Sequence, residues 1–279
     1  MSYRCIGTVL HDPSRAAAQA DALIRTAQSL KARVRIVALD VSPSDPSLAF
    51  AGLGQVPEPE PSPGEVSSID QIRAAAEAQL RASGVAGQVC AARAPQAALT
   101  DVVVEQLRFC DLVVQDRPYG ISRLDLDATL AEAVLFAARV PLLILPHERA
   151  LKTDGSRVMV GWDNSSAALN AVRAALPLLQ TADQVQIAMI DPPKDATDRS
   201  DPGGAVARFL TGHDVSCDIA VMARSAPKIG EVLLTRARDA GCDLLVMGAY
   251  GHSRLREAIF GGTTRYVLGH AEMPVLMAH

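Results

Sequence analysis

The chain has 279 residues, of which 49% are hydrophobic and 4% aromatic, and 27 basic residues stand against 31 acidic ones, for a net charge of −4. This length suits one large domain or two of ordinary size, and the aliphatic composition favours a compact α/β protein over a β-sandwich. No basic stripe stands out, so general nucleic-acid binding is not expected. We also expect no membrane-spanning segment and no leader peptide, because the apolar runs are too short and the N-terminus lacks the required pattern.

The first predicted elements recur further along the chain. Residues 5–24 read CIGTVLHDPSRAAAQADALI and match residues 157–176, which read RVMVGWDNSSAALNAVRAAL. In each copy an apolar strand ends at an aspartate, Asp12 or Asp163, and a serine-containing cap opens an alanine-rich helix. This pattern predicts a strand followed by a helix at the start of both halves.

Later elements repeat in the same way. FCDLVVQ at 109–115 matches GCDLLVM at 241–247, and ARVPLLIL at 138–145 matches AEMPVLMA at 271–278. A period of about 140 residues is too long for a solenoid repeat. The repeat therefore predicts a duplicated domain.

The predicted domains are residues 1–148 and 155–279, joined by a linker at 146–156. A proline-rich loop at 41–65 follows the second strand of the first half and has a shorter counterpart at 191–204. The longer loop reads as a surface insertion, with a lid or a partner contact as the alternative.

Short apolar runs alternate with helical segments in both halves, which indicates a parallel sheet covered on both faces. Right-handed crossovers make such a sheet doubly wound. In the second half we predict strands near 157–162, 184–190, 215–221, 242–247 and 273–277, and helices near 165–179, 203–212, 227–240 and 262–270.

A glycine-rich passage, VMGAYGHSRLREAIFGGTTRYVLGH, occupies residues 246–270. Gly248 and Gly251 stand three apart, and nine residues separate Gly251 from Gly261. Such glycines either allow tight packing of a strand against a helix or let the backbone approach a phosphate. The start of the last helix would suit an anion, because helix N-termini present free N–H groups. A Walker-type loop is absent from the sequence.

This spacing, the order of the elements and the aspartate after the first strand resemble the universal stress protein family over the whole chain. The resemblance implies two tandem, Rossmann-like, five-stranded parallel sheets of order 3-2-1-4-5, of the adenine nucleotide alpha hydrolase-like type. It also implies a site in the second half for ATP or another adenine nucleotide, which could bind with or without Mg²⁺. In the nucleotide-binding branch the pattern closes with Ser or Thr after the last glycine, whereas this chain has Gly262.

The resemblance assigns the site residue by residue. Asp163 would accept a hydrogen bond from the adenine or ribose, although it could instead simply cap the helix, and the backbone of Met189 would meet the base. The ribose and first phosphates would lie against Gly248 and Gly251. The later phosphates would lie against Gly261, Gly262, Thr263 and Thr264, with one of the threonines replacing the missing hydroxyl.

The first half lacks this glycine pattern. Gln115 or Asp116 stands where the first glycine is expected, and Asp125 and Asp127 near the last helix would oppose a phosphate. We therefore predict one nucleotide site per chain, in the second half.

Three functions remain open from the sequence. The first is a regulatory stress protein that binds an adenine nucleotide with slow or no hydrolysis. The second is a scaffold that acts through dimerisation and partner docking, and the third is an enzyme of another adenine-binding α/β family. The sequence contains no GxSxG or HExxH motif and no clustered His/Cys set, so we predict no catalytic or metal-binding residues.

The two predicted last strands are expected to pair with each other and to form an internal pseudo-dimer, because open strand edges are hazardous. Whether two chains associate further is not decided by the sequence. The cysteines are scattered and are interpreted as small hydrophobic residues in a protein of the reducing cytoplasm. They are Cys5, Cys90, Cys110, Cys217 and Cys242.

Overall fold

The structure is a computed structural model and describes residues 2–42, 67–119, 125–146, 151–192, 201, 203–249 and 262–279. Most of the two predicted loops, 41–65 and 191–204, lies outside the described residues.

The first half alternates strands and helices. In chain order they are β1 (Cys5–Leu10), α1 (Pro13–Leu30), β2 (Arg33–Ser42), α2 (Ser68–Ser83), β3 (Gly87–Pro95), α3 (Leu99–Leu107), β4 (Leu112–Asp116), α4 (Asp125–Glu132) and β5 (Leu142–Leu145). The short 3₁₀ helix Gln96–Ala98 precedes α3, and α4 continues as the π-helical stretch Ala133–Ala138.

The second half repeats this order. Its elements are β6 (Arg157–Gly161), α5 (Ser166–Leu179), β7 (Gln184–Ile190), α6 (Gly204–Thr211), β8 (Asp218–Met222), α7 (Ile229–Asp239), β9 (Leu244–Gly248), α8 (Gly262–His270) and β10 (Val275–Ala278). The predicted strands and helices of this half are all present.

Three strands of the second half begin two or three residues later than predicted, and local hydrogen bonding explains two of them. The N–H of Val215 donates to the carbonyl of Leu210 over 3.0 Å, so this residue closes the end of α6 instead of entering the ladder of β8. Pro274 has no N–H to donate, so β10 starts after it.

All ten strands form one sheet of order β3-β2-β1-β4-β5-β10-β9-β6-β7-β8. Each half therefore has the predicted order 3-2-1-4-5, and its strands run parallel. The two last strands, β5 and β10, pair antiparallel, with Val275 opposite Ile144 and Met277 opposite Leu142. The predicted internal pairing of the two halves is confirmed.

Helices cover both faces of the sheet and enclose two apolar layers. One layer lies under α1, α2, α5 and α6, and the other lies under α3, α4, α7 and α8. Each layer runs through both halves. On the first face the buried hydroxyl of Tyr3, which precedes β1, donates to the carbonyl of Ala174 in α5 over 2.6 Å. Packing and this hydrogen bond thus hold the halves together in addition to the pairing of β5 with β10.

We expect Leu143→Ala to lower the free energy of unfolding of the whole chain by about 2–5 kcal/mol, because it opens a cavity at the junction of the two halves. Leu143 is fully buried in β5 and stands opposite Leu276. The matched control is Phe109→Ala, since the Phe109 side chain is 79% exposed, and its effect should stay within about 0.5 kcal/mol. Urea unfolding followed by circular dichroism measures both. Equal effects for the two variants would contradict the junction as a buried core.

Candidate functional site

The second half contains a crevice at the carboxyl ends of its strands, where the strand order reverses. β6 lies between β7 and β9, and the chain leaves these strands toward helices on opposite faces of the sheet. Open α/β sheets bind ligands at this position. We call it the C-terminal crevice and define it by the turn 163–165, the end of β7, Gly248 and the first turn of α8.

Asp163 is exposed in the turn between β6 and α5. Its Oδ1 accepts the N–H of Ser165 over 3.0 Å, and Asn164 between them has a φ of 63°. The helix cap itself is Ser165, whose Oγ accepts the N–H of Ala168 over 3.1 Å. Asp163 therefore shapes the turn without being the cap. A carboxylate has about four acceptor sites, so a ligand can still bind to it.

Gly248, the last residue of β9, allows the strand to pack tightly against the start of α5. A Cβ at this position would lie 2.6 Å from the backbone nitrogen of Ala168 and 3.0 Å from the Cβ of Ala167. Backbone atoms cannot yield as the end of a flexible side chain can. Gly248 is therefore explained by tight packing. Its missing side chain lets the N-terminus of α5 lie close to the crevice.

Gly262 differs from Gly248, because it is exposed and no atom of the described residues lies within 4 Å of a Cβ built on it. It is the first residue of α8, and Thr263 beside it is half-buried. Thr264 is buried at 3% exposure, so its hydroxyl belongs to the interior. Of the two threonines, Thr263 remains the candidate for the missing hydroxyl. Gly251 and Gly261 lie outside the described residues.

A further glycine, Gly230 in α7, was not singled out from the sequence. A Cβ there would lie 2.9 Å from the carbonyl oxygen of Thr263 and 3.2 Å from the Cβ of Tyr266. The close approach of α7 thus fixes the first turn of α8 at the edge of the crevice. An isolated glycine near the start of a helix carries too weak a signal to have revealed this.

Met189 is buried in β7, and its peptide groups point away from β6. The N–H of Trp162 at the end of β6 donates to the carbonyl of Ala188, whereas the N–H of Asp191 donates to the carbonyl of Met222 in β8. Since peptide direction alternates along a parallel strand, Met189 directs its N–H and C=O toward β8. The next residue, Ile190, directs its own toward the open side beyond β6. Ile190 was not singled out from the sequence, because only the pairing register distinguishes neighbouring residues.

The equivalent crevice of the first half, the N-terminal crevice, follows the register of the match between residues 5–24 and 157–176. Ile6 stands beside Leu112 as Val158 stands beside Leu244, so the position of Asp163 is occupied by His11. Matching Asp12 with Asp163 was therefore wrong by one residue. Asp12 is the cap of α1 and accepts the N–H of Ser14.

Four side chains fill the N-terminal crevice. Asp127 in the first turn of α4 is 8% exposed, and its carboxylate contacts the Nε2 of His11 at 2.9 Å and the Nη2 of Arg15 at 3.1 Å. The Nε of Arg15 also donates to Asp12 over 2.8 Å. From the sequence, Asp127 was expected to oppose a phosphate, and the structure shows that this residue is buried. It is paired internally and places a carboxylate in the first turn of a helix, where a bound anion would otherwise lie. The side chain of Asp125 lies outside the described part of the chain.

The charges of this network affect its pKa values. Burial alone would raise the pKa of Asp12, but hydrogen bonds from Ser14 and Arg15 bring it down to about 2. For Asp127, burial is again opposed, here by His11 and Arg15, and the pKa is lowered. A lowered carboxyl pKa contributes stability that is present above the unfolded value and is lost as pH falls through the folded value. The network therefore stabilises the fold at neutral pH and weakens in acid.

The fold defines the class as a doubly wound, tandem α/β protein with a crevice at the switch point of each half. Residues 156–279 match the model of the Universal stress protein family. A universal stress protein of Synechocystis sp. is 46% identical over 46 residues, a stretch that covers 16% of this chain and 16% of that protein.

Solved structures extend the likeness of fold to both halves. A universal stress protein from Archaeoglobus fulgidus aligns with 100% of this chain and 99% of its own, with a TM-score of 0.66 and 14% identity. A functionally unknown protein from Pseudomonas aeruginosa aligns over 98% of this chain and 92% of its own, with a TM-score of 0.57 and 15% identity. Residues 156–279 match the universal stress protein family, and the first half repeats the fold of the second.

Metal binding requires clustered ligands, and crossing a membrane requires a long apolar helix; the described residues contain neither. No group of three or more His, Cys, Asp or Glu side chains that could hold a metal ion occurs among them. No helix in the same residues is long and apolar enough to cross a membrane.

Gly248→Ala and Gly262→Ala form a matched pair that separates packing from backbone access. We expect Gly248→Ala to lower the free energy of unfolding by about 1–3 kcal/mol, because its methyl group would press on the backbone of α5. Gly262→Ala should be neutral or stabilising by up to about 1 kcal/mol, because the position is open and alanine favours helix. Urea unfolding measures both values, and an equal cost for the two variants would contradict the described geometry.

Arg15→Ala should destabilise the chain by about 3–5 kcal/mol at neutral pH, because it leaves Asp127 buried beside an incomplete set of partners. The control on the same helix is Arg25→Ala, since Arg25 pairs only with Asp21 on an exposed surface and should cost less than about 0.5 kcal/mol. Toward pH 3 the cost of Arg15→Ala should shrink as the freed carboxyl takes up a proton. Unfolding free energies at both pH values test this, and a cost independent of pH would exclude the charge-pairing role.

Proposed function

We propose that this chain is a stress-response regulatory protein that binds one adenine nucleotide, ATP or a relative of it, in its C-terminal crevice. The observation that carries the proposal is the contrast between the two crevices. The first half fills the position in front of its last helix with the Asp127 carboxylate, whereas the second half has an exposed glycine at the start of its last helix. A helix that begins with an exposed glycine presents N–H groups that suit the phosphates of a ligand.

The described residues fit the two ends of such a ligand. At the base end, the exposed Asp163 would accept from the adenine or the ribose, and the peptide groups of Ile190, rather than those of Met189, would meet the base. At the phosphate end, the N–H groups of Gly262 and Thr263 would donate to phosphate oxygens, and the Thr263 hydroxyl would add a further donor. Gly248 would contribute through the position of α5, and Gly251 and Gly261 keep the roles that the resemblance assigns to them.

Magnesium would enter with the nucleotide. The described residues around the crevice offer Asp163 as a carboxylate but no acidic cluster for a dedicated ion site. Mg²⁺ commonly binds through substrate phosphates with only one or two protein carboxylates, so this is compatible with MgATP. We propose slow or no hydrolysis, since Asp163 already accepts an N–H from its own turn and lies at the base end.

The remaining parts of the proposal concern organisation and location. The functional units would be residues 1–148 and 155–279, with the nucleotide held by the second and the first acting as a structural partner. All five cysteines are free thiols, which suits a protein of the reducing cytoplasm.

Titration of the 279-residue chain with ATP, monitored by isothermal titration calorimetry, should saturate at one equivalent per chain. Asp163→Ala should weaken binding by roughly 1–3 kcal/mol, because it removes an acceptor for the base or the ribose. Asp12→Ala is the control in the first half and should leave the stoichiometry and the dissociation constant unchanged. Gly262→Ser should tighten binding, because it adds the missing hydroxyl where the backbone leaves room for it.

The same titration separates the alternatives. Two equivalents per chain would show that the N-terminal crevice binds nucleotide despite its internal ion pairs. A folded protein that binds no nucleotide, even as the Gly262→Ser variant, would favour the scaffold function. Release of ADP at a steady rate would favour an enzyme, and chromatography of the nucleotides after incubation detects it.

A further inference from the structure

Two cysteine side chains lie together at the amino-end edge of the sheet, opposite the two crevices. The Sγ atoms of Cys5, the first residue of β1, and Cys110, just before β4, are 3.9 Å apart. Their positions are 105 residues apart in sequence, so the fold alone brings them together. The pair takes no part in the proposed nucleotide site, which lies at the other end of the strands.

Hydrogen bonds hold the two backbone segments side by side at this point. The N–H of Asp111 donates to the carbonyl of Cys5 over 2.8 Å, and the Asp111 carboxylate accepts the N–H groups of Arg4 and Cys5 over 2.7 and 2.9 Å. Ile6 lies level with Leu112, so Asp111 is level with Cys5, and Cys110 directly precedes Asp111. The 3.9 Å between the two sulfur atoms would have to shorten to the roughly 2.05 Å of a disulfide bond, and side-chain rotation allows movement of this size.

Gly7 makes room for this arrangement. Cys5 and Gly7 lie on the same face of β1, because side chains alternate along a strand. A Cβ on Gly7 would lie 2.9 Å from the Sγ of Cys110 and 2.8 Å from a methyl carbon of Leu107. The thiol of Cys110 thus occupies space that any other residue at position 7 would take.

The two thiols differ in burial. Cys5 is half-buried and open to small solutes, whereas Cys110 is buried. Burial, followed by the charge of a Cys5 thiolate, raises the pKa of Cys110 to about 12, and the nearby cation of Arg35 acts in the opposite direction. Arg35 donates from Nη2 to Gln106 over 2.8 Å, and its buried Nε has no hydrogen-bond partner among the described residues. Arg35 thus partly offsets the raised pKa of Cys110.

The duplicated half supplies an internal comparison. Cys242 stands at the position of Cys110, but Arg157 stands at the position of Cys5 and Met159 at that of Gly7. The backbone bonds are the same, since Asp243 donates to the carbonyl of Arg157 over 2.8 Å and accepts its N–H over 2.9 Å. Only the first half therefore places two thiols in this framework.

We propose that Cys5 and Cys110 form a dithiol that hydroperoxides oxidise to an intramolecular disulfide, with Cys5 reacting first and Cys110 second. The Cys5 thiolate attacks one oxygen of the hydroperoxide, the O–O bond breaks, and an alcohol or water leaves, so that Cys5 becomes a sulfenic acid. Cys110 then attacks the Cys5 sulfur, the S–O bond breaks, and water leaves. The two thiols lose two electrons and two protons, and the hydroperoxide takes them up. A dithiol reductant reverses the change.

The first step facilitates the second. A sulfenic acid is neutral, so the repulsion that a Cys5 thiolate exerts on Cys110 disappears once Cys5 is oxidised. The resulting disulfide would tie the start of β1 to the turn before β4. Such a link constrains the unfolded chain, so the thermal unfolding midpoint of the oxidised protein should rise and fall back after reduction.

Hydrogen peroxide treatment of the full-length protein, followed by denaturation and thiol titration, tests the proposal. The number of thiols should fall from five to about three. Mass spectrometry of a non-reduced digest should show the Cys5 peptide joined to the Cys110 peptide. In Cys110→Ser, dimedone should trap a sulfenic acid on Cys5.

Two variants serve as matched controls. Cys242→Ser should still lose two thiols, from four to about two, and form the same linked peptide. Cys5→Ser should form no linked peptide, and because position 5 is half-buried at a strand start, this variant remains informative even where Cys110→Ser fails to fold. Loss of thiols without the linked peptide, links only between separate chains, or an unchanged response in Cys5→Ser would overturn the proposal.

Discussion

The antiparallel pairing of β5 with β10 is the interaction on which the rest of this structure depends. Both strands are four residues long and fully buried, so neither could remain an exposed edge of an independent sheet. Their pairing converts two five-stranded sheets into one sheet of ten strands. It also allows the helices on each face to enclose apolar layers that continue through both halves.

Within this shared framework, the two halves have diverged at the carboxyl ends of their strands. Each half presents the start of its last helix to a crevice, and the positive end of a helix favours a negative group. In the first half Asp127 provides that group, and His11 and Arg15 compensate its charge. In the second half the last helix begins with the exposed Gly262, and we propose that the anion of a ligand takes the role of Asp127 there. Burying an internal ion pair and binding an external anion are two ways of meeting the same electrostatic requirement.

The opposite edge of the sheet has diverged independently. The backbone bonds between β1 and Asp111 recur between β6 and Asp243, which shows that this contact belongs to the fold. The side chains placed on it differ, with Cys5 in one half and Arg157 in the other. The duplicated fold therefore offers two separate positions, one at each end of its strands, where new chemistry can arise without changing the core.

The sequence alone determined the duplication, the alternation of strands and helices, and the resemblance that implied strand order, because these depend on local apolar runs and on caps such as Ser165. The tertiary structure decided what depends on register and on contacts between distant segments. Peptide direction along β7 turns Ile190, and not Met189, toward β6, and packing against Ala168 explains Gly248. The partners of Asp127 and Cys110 lie more than one hundred residues away, and no local pattern encodes such distances.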